Sequence, residues 1–181
     1  MGENPKVLLS KIENIIFTYI NSLDSYSYEQ LIWKPEKGKW SIGQMYNHLI
    51  SATLNRYFKS IEKCISETES INESMLKKSD AGNEIYELGS YPPVKIKGRP
   101  DSIVQAPQNP KTKQSLYDGL QTILIQASHL APRINDSDFN KKVVHPRLGA
   151  LNAIEWFQLT EMHFRHHLRQ KKELEQLLDV R

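Results

Sequence analysis

The stretch Glu161-Met162-His163-Phe164-Arg165-His166-His167-Leu168-Arg169-Gln170 lies in a run, from Ala150 to Arg181, that contains neither glycine nor proline. Such a run predicts one long helix, and its apolar residues Ile154, Phe157, Leu168, Leu174 and Leu178 mark the face turned to a core. Asn152, followed three residues later by Glu155, has the spacing of a capping box and sets the start of that helix. His163 and His167 are four residues apart, so in a helix the two imidazoles lie one above the other on the same face, where they can share one divalent ion.

Two histidines leave such an ion short of ligands, because catalytic metal sites usually have three protein ligands and one open position. His48 is the best third candidate. It sits in Trp40-Ser41-Ile42-Gly43-Gln44-Met45-Tyr46-Asn47-His48-Leu49-Ile50, whereas His129 and His145 lie close to Pro132 and Pro146 in or near connections. The resulting hypothesis is a site built from His48, His163 and His167. A histidine pair at this spacing occurs on many helices that bind nothing, and His48 alone reads as a buried histidine satisfied by a backbone carbonyl. The three together carry the hypothesis.

Together with the rest of the chain these segments make four long helical stretches. From about Lys6 to Leu23, residues Leu8, Ile12, Ile15, Ile16, Tyr19, Ile20 and Leu23 recur at three- and four-residue spacing. A polar break follows, in which Ser27 and Gln30 can cap a short turn carrying Leu31, Ile32 and Trp33. Pro35 and Gly38 mark a connection. Ser41 and Gln44 then cap a second long helix, read as running to about Thr68, with Ile42, Met45, Leu49, Thr53, Tyr57 and Ile61 on one stripe and His48 on its shoulder.

From about residue 69 to 111 the pattern turns polar and rich in glycine and proline, which reads as one long irregular loop. Loops of this length are often functional, and the portion around Tyr91 to Pro110 is expected to pack across one end of the bundle. Thr112 opens a third amphipathic stretch with Leu116, Leu120, Ile123, Leu124, Ala127 and Leu130, expected to stop before Pro132. The connection that follows has Val143 and Val144 extended and a turn at Gly149. The fold class is therefore all-α, a four-helix bundle, with residues 1–181 as a single domain. Bundles of this kind build metal and cofactor sites from side chains on facing helices.

Composition narrows the function. The 181 residues include 39% hydrophobic and 25% charged side chains with a net charge of +3, an ordinary soluble balance. Lysine and arginine are scattered among acidic residues, so no basic stripe for nucleic acid is implied. The one cysteine, Cys64, excludes an intramolecular disulfide. It lies about 24 Å along the helix from His48 by helical rise, too far to be a ligand. No signal-peptide h-region or apolar run of membrane-spanning length is read, and the expectation is a cytoplasmic protein without membrane partners. Met1-Gly2 opens a myristoylation-like start, but Lys6 stands where Ser or Thr is needed.

Three segments together resemble the DinB/YfiT-like four-helix-bundle proteins of bacteria: the one from Trp40 to Ile50, His145-Pro146-Arg147-Leu148-Gly149-Ala150-Leu151-Asn152, and the one from His163 to Gln170. The resemblance spans nearly the whole chain. It implies an up-up-down-down bundle with one long crossover, a divalent ion, nickel or zinc, held by His48, His163 and His167, and a homodimer. Some members of that family resemble or are thiol S-transferases that use a low-molecular-weight bacterial thiol, others include a mycothiol-dependent isomerase, and many have no assigned reaction. The resemblance names no substrate for this chain.

Three neutral imidazoles leave a bound ion its full double-positive charge, which acidifies a bound water or thiol. A thiol transferase and a hydrolase acting on a small molecule both follow from this, and a non-catalytic metal-stapled binding module is the third reading. Gln44, one turn before His48, and Glu155, two turns before His163, are candidates for orienting the ligands, although for Glu155 the capping role is the stronger explanation. His166 points about 100° away from His167 and reads as a surface or supporting group. Arg165, Arg169 and Gln170 read as solvent-face or dimer-contact groups, with Gln170 near enough in register to approach the site. No residue is assigned as catalytic.

Overall fold

A computed structural model of the chain describes residues 3–66, 77–92 and 106–179. Helix α1 spans Pro5–Asp24, starting where the Asn4 side chain accepts from the Lys6 amide and Pro5 occupies the first turn, where a missing N–H costs nothing. Leu8, Ile12, Ile16, Tyr19 and Leu23 form its buried stripe. The short α2, Tyr28–Ile32, and α3, Ile42–Ala52, both begin with the reciprocal capping bonds read from sequence, Ser27 with Gln30 and Ser41 with Gln44. Helix α3 passes into a single π-helical turn, Thr53–Tyr57, and continues as α4, Phe58–Ile65. The rod therefore stops at Ile65, short of the expected Thr68.

The stretch read as irregular contains a helix. Helix α5 runs Asp80–Leu88, capped by the Ser79 side chain on the Gly82 amide and closed by Gly89 at φ 60°. Segments 67–76 and 93–105 of the same stretch lie outside the described residues. Residues 107–110 cross the start of α3, as expected for a segment closing one end of the bundle: Asn47 Nδ2 donates to the Gln108 carbonyl at 2.9 Å, and Tyr28 donates to the Pro110 carbonyl at 3.0 Å. Gly43 permits this approach, because a Cβ there would sit 2.6 Å from Pro110 Cδ.

Helix α6, Lys113–Asn135, overturns the expected stop before Pro132. Proline removes one backbone donor, but Pro132 falls in the last turn and Leu130, Ala131 and Ile134 are all buried. Their burial outweighs one lost hydrogen bond. Strands β1, Lys142–His145, and β2, Gly149–Asn152, form an antiparallel hairpin with Val143 opposite Leu151. It leads directly into α7, Ala153–Asp179, where Asn152 and Glu155 exchange the predicted capping bonds at 2.9 and 3.0 Å. Helix α1, the α3–α4 rod, α6 and α7 make up the bundle, with α1 packed on α6 and α7 and the rod packed on α7. Among the described residues no helix is long and apolar enough to cross a membrane.

Gly149 is the pivot of the hairpin. Its φ is 77°, and a Cβ there would lie 2.5 Å from the Ser79 amide nitrogen. The backbones meet this closely because Ala150 donates to the Lys77 carbonyl and Ser79 donates to the Leu148 carbonyl. Gly149→Ala imposes both a left-handed penalty of about 1–2 kcal/mol and a backbone clash. A fall in the urea midpoint corresponding to at least that loss is expected; an unchanged midpoint would contradict the placement.

The packing that positions the site is a set of buried tyrosines. Tyr19 of α1 donates to the Phe164 carbonyl of α7 at 2.8 Å, and Tyr46 of α3 donates to the Tyr19 carbonyl at 2.9 Å. The Tyr19 ring meets Tyr46 and Phe164 edge-on at 5.2 and 5.1 Å. Each phenol buries its ring and satisfies its hydroxyl on a backbone carbonyl, which fixes three helices relative to one another. Tyr46 is two residues from His48, and Phe164 is next to His163, so the same contacts set the separation of the histidines.

Candidate metal centre

The structure brings the three predicted histidines together. Nε2 of His48 lies 3.2 Å from Nε2 of His163. One ligand atom from each of His48, His163 and His167 falls within 4.8 Å of the others. Ring centroids are 5.0 Å apart for His48 and His163, 5.2 Å for His48 and His167, and 4.9 Å for His163 and His167. Ligands about 2.0–2.1 Å from a tetrahedral ion stand roughly 3.4 Å from one another. The closest pair already has that spacing, so the donor set fits a first-row divalent ion.

Electrostatics favour the same conclusion. Burial pushes the His48 imidazole down to about 4, helped by the charge of Arg56. His167 is pushed down to about 4 by burial and then by His48. His163, 7% exposed, is driven well below the usual histidine range by burial and by its histidine neighbours. Near neutral pH all three imidazoles are therefore uncharged, with a lone pair available to a cation.

The supporting groups differ from those expected. Gln44 holds its cap: its side-chain oxygen accepts from the Ser41 amide, and its NH₂ donates to the Pro107 carbonyl. Glu155 holds the Asn152 cap and pairs with Lys78. The outer nitrogens of two of the clustered rings are met by other residues. Gln170 Oε1 lies 2.7 Å from His167 Nδ1, so this residue is a partner of the site and not a solvent-face group. Arg165 does face outward, forked onto Glu161 and the Gly89 carbonyl.

Tyr57, read from sequence only as part of an apolar stripe, is buried with its hydroxyl 3.1 Å from His163 Nδ1. The Tyr91 hydroxyl neighbours that of Tyr57, and its ring lies 6.1 Å from His163 and 5.0 Å from His166. This residue, at the start of the segment expected to close one end of the bundle, borders the histidines. Trp40 packs against His48 at 5.1 Å. His166 touches the His167 ring edge-on but is not part of the three-nitrogen cluster.

The histidine set aside as part of a connection has a structural role. His145 Nδ1 accepts from the Arg147 and Leu148 amides, closing the hairpin turn, while its ring packs on Trp156 at 5.3 Å. Cys64 is buried with its sulfur 3.7 Å from the Leu151 carbonyl, and burial pushes its thiol up to about 12. A thiol held protonated in this way is inert as a nucleophile.

The fold and the site together define a helical bundle in which three imidazoles from two facing helices converge closely enough that they could hold a metal ion. The family model described as DinB superfamily matches residues 18–170, and the chain belongs to that superfamily. No curated protein and no solved structure matches it.

Proposed function

We propose that the protein binds one divalent metal ion, zinc or nickel, through His48, His163 and His167, and is an enzyme that transfers a small thiol to a small-molecule electrophile. The observation that carries this reading is the convergence of three uncharged imidazoles from α3 and α7 within 4.8 Å. A bound ion would supply Lewis acidity, lowering the pKa of a thiol or water at the site. Among the described residues no fourth metal-binding side chain joins the cluster, a pattern that suits catalytic rather than structural sites.

The chain's own residues would hold and shield that site. Gln170 and Tyr57 face the outer nitrogens of His167 and His163, while Trp40 and Tyr91 pack against the His48 and His163 rings. Thiol transfer is placed ahead of hydrolysis by likeness to the family. Both activities separate in one assay: metal-loaded protein incubated with small thiols and a chromogenic electrophile, beside ester and amide substrates. Thiol-dependent product is expected. Thiol-independent ester or amide cleavage would make the protein a hydrolase, and no turnover of any substrate would favour a metal-stabilised binding module. Homodimer formation and a cytoplasmic location are part of the same proposal.

Gln170→Leu removes the acceptor that orients His167 without touching a ligand. Metal affinity is expected to fall about 10–100-fold, the usual effect of losing a ligand's hydrogen-bond partner. Competition against a chromophoric chelator measures it, and an unchanged affinity would remove Gln170 from the site.

A further inference from the structure

We propose that the π-helical turn Thr53–Tyr57 belongs to the metal centre: it brings the Tyr57 hydroxyl to His163, where it accepts the Nδ1 proton and leaves Nε2 as the bare ligand nitrogen. This rests on the metal-binding reading and assigns a positioning residue within it.

Helical phase requires such a turn. Tyr57 follows His48 by nine residues, and at about 100° per residue an unbroken α-helix would put the two about 180° apart. They could not then both reach one ring on α7. A π-turn accommodates one extra residue, which removes about 100° and returns Tyr57 to within about 80° of His48. Both side chains accordingly meet His163: His48 at its Nε2 at 3.2 Å, and Tyr57 at its Nδ1 at 3.1 Å.

The buried stripe bears the same mark. Met45, Leu49, Thr53, Tyr57 and Ile61 are all buried, each four residues from the last. A regular helix drifts about 40° for every four residues, so such a run would rotate away from the core unless one turn were widened. The widening is not free of cost, because the Thr53 hydroxyl is fully buried within it and has no hydrogen-bond partner among the described residues.

Proton placement completes the case. Tyr57 has one proton and two neighbours, the Tyr91 hydroxyl and His163 Nδ1. With its O–H directed to Tyr91, its oxygen accepts Nδ1–H, and the imidazole tautomer with a free Nε2 is the one held in place. That nitrogen is the one facing His48. Tyr57 thus acts through His163 as a positioning residue and would not itself be a ligand.

Tyr57→Phe keeps the ring and deletes the oxygen. Its metal affinity is expected to fall about 10–100-fold, with the thermal midpoint of the metal-free protein measured alongside to confirm folding. The decisive readout is ¹⁵N NMR of the imidazoles in the metal-free proteins. Wild type is expected to show His163 protonated at Nδ1, and the variant to lose that preference. An unchanged tautomer and affinity would overturn the proposal. Because the tautomer is read without metal, a wild-type chain that takes up no ion would refute the metal reading while the NMR comparison still decides this one.

Discussion

His163→Ala is expected to abolish specific binding of zinc or nickel, the largest loss of affinity from any single substitution in the chain. His163 is the most deeply buried of the three histidines and closes a near-equilateral triangle with the others, its ring 5.0 Å from His48 and 4.9 Å from His167. Removing a ligand's partner costs about 10–100-fold, so removing the ligand must exceed that range. The remaining pair, His48 and His167, offers only two nitrogens from rings 5.2 Å apart. Two readouts check the expectation. Calorimetric titration gives the affinity directly. Thermal unfolding gives it by linkage, since an ion at 100 times its Kd stabilises a folded protein by about 2.7 kcal/mol. That shift should be present in the wild type and absent in the variant. A variant that keeps its affinity within tenfold would contradict the site.

The second large effect is acid destabilisation of the metal-free protein. His48, His145 and His167 are each pushed down to about 4, chiefly by burial, and His163 lies well below its ordinary value for the same reason. In the unfolded chain these imidazoles titrate near 6.5. Below that pH the unfolded state binds protons that the folded state refuses, so stability falls as pH falls. The stabilising contribution is complete above about 6.5 and is lost on the way down to about 4. Each histidine contributes a slope of up to roughly 1.4 kcal/mol per pH unit, and the set removes on the order of 3 kcal/mol or more between pH 6.5 and 5. Urea midpoints measured at pH 7 and pH 5 in the presence of a chelator test this. A midpoint that does not move across that window would show that the histidines are solvated and not buried together.

Much of the fold was legible because its signals are local. The Ser41–Gln44 and Asn152–Glu155 caps are short patterns with one mechanical meaning, and they fixed the starts of the two helices that carry the histidines. The i, i+4 pair on α7 needed only helical geometry, and His48 followed from its place on the shoulder of a buried stripe. Helix α5 escaped because Ile85 is its main buried apolar anchor; its Ser79 and Gly89 ends were present but framed no apolar repeat. The continuation of α6 past Pro132 depends on tertiary burial of Ile134, to which a local rule about proline is blind.

The supporting residues of the site were harder to read for a different reason. Gln170 and Tyr57 act through contacts whose geometry depends on side-chain direction and helical phase. Phase was the concealed quantity: spacings of four from Met45 to Ile61 were visible, but they pass for an ordinary amphipathic stripe unless the accumulated drift is counted. Gln44 and Glu155 were plausible partners by register, yet each is held at its helix start by a capping bond and by a second contact, Gln44 with the Pro107 carbonyl and Glu155 with Lys78.

Titration of metal-free wild-type protein with zinc, followed through its histidine ring resonances, tests the three-histidine centre. One equivalent of ion should shift the signals of His48, His163 and His167 together while those of His129 stay in place. Saturation with no movement of those three, or movement of only one of them, would contradict it.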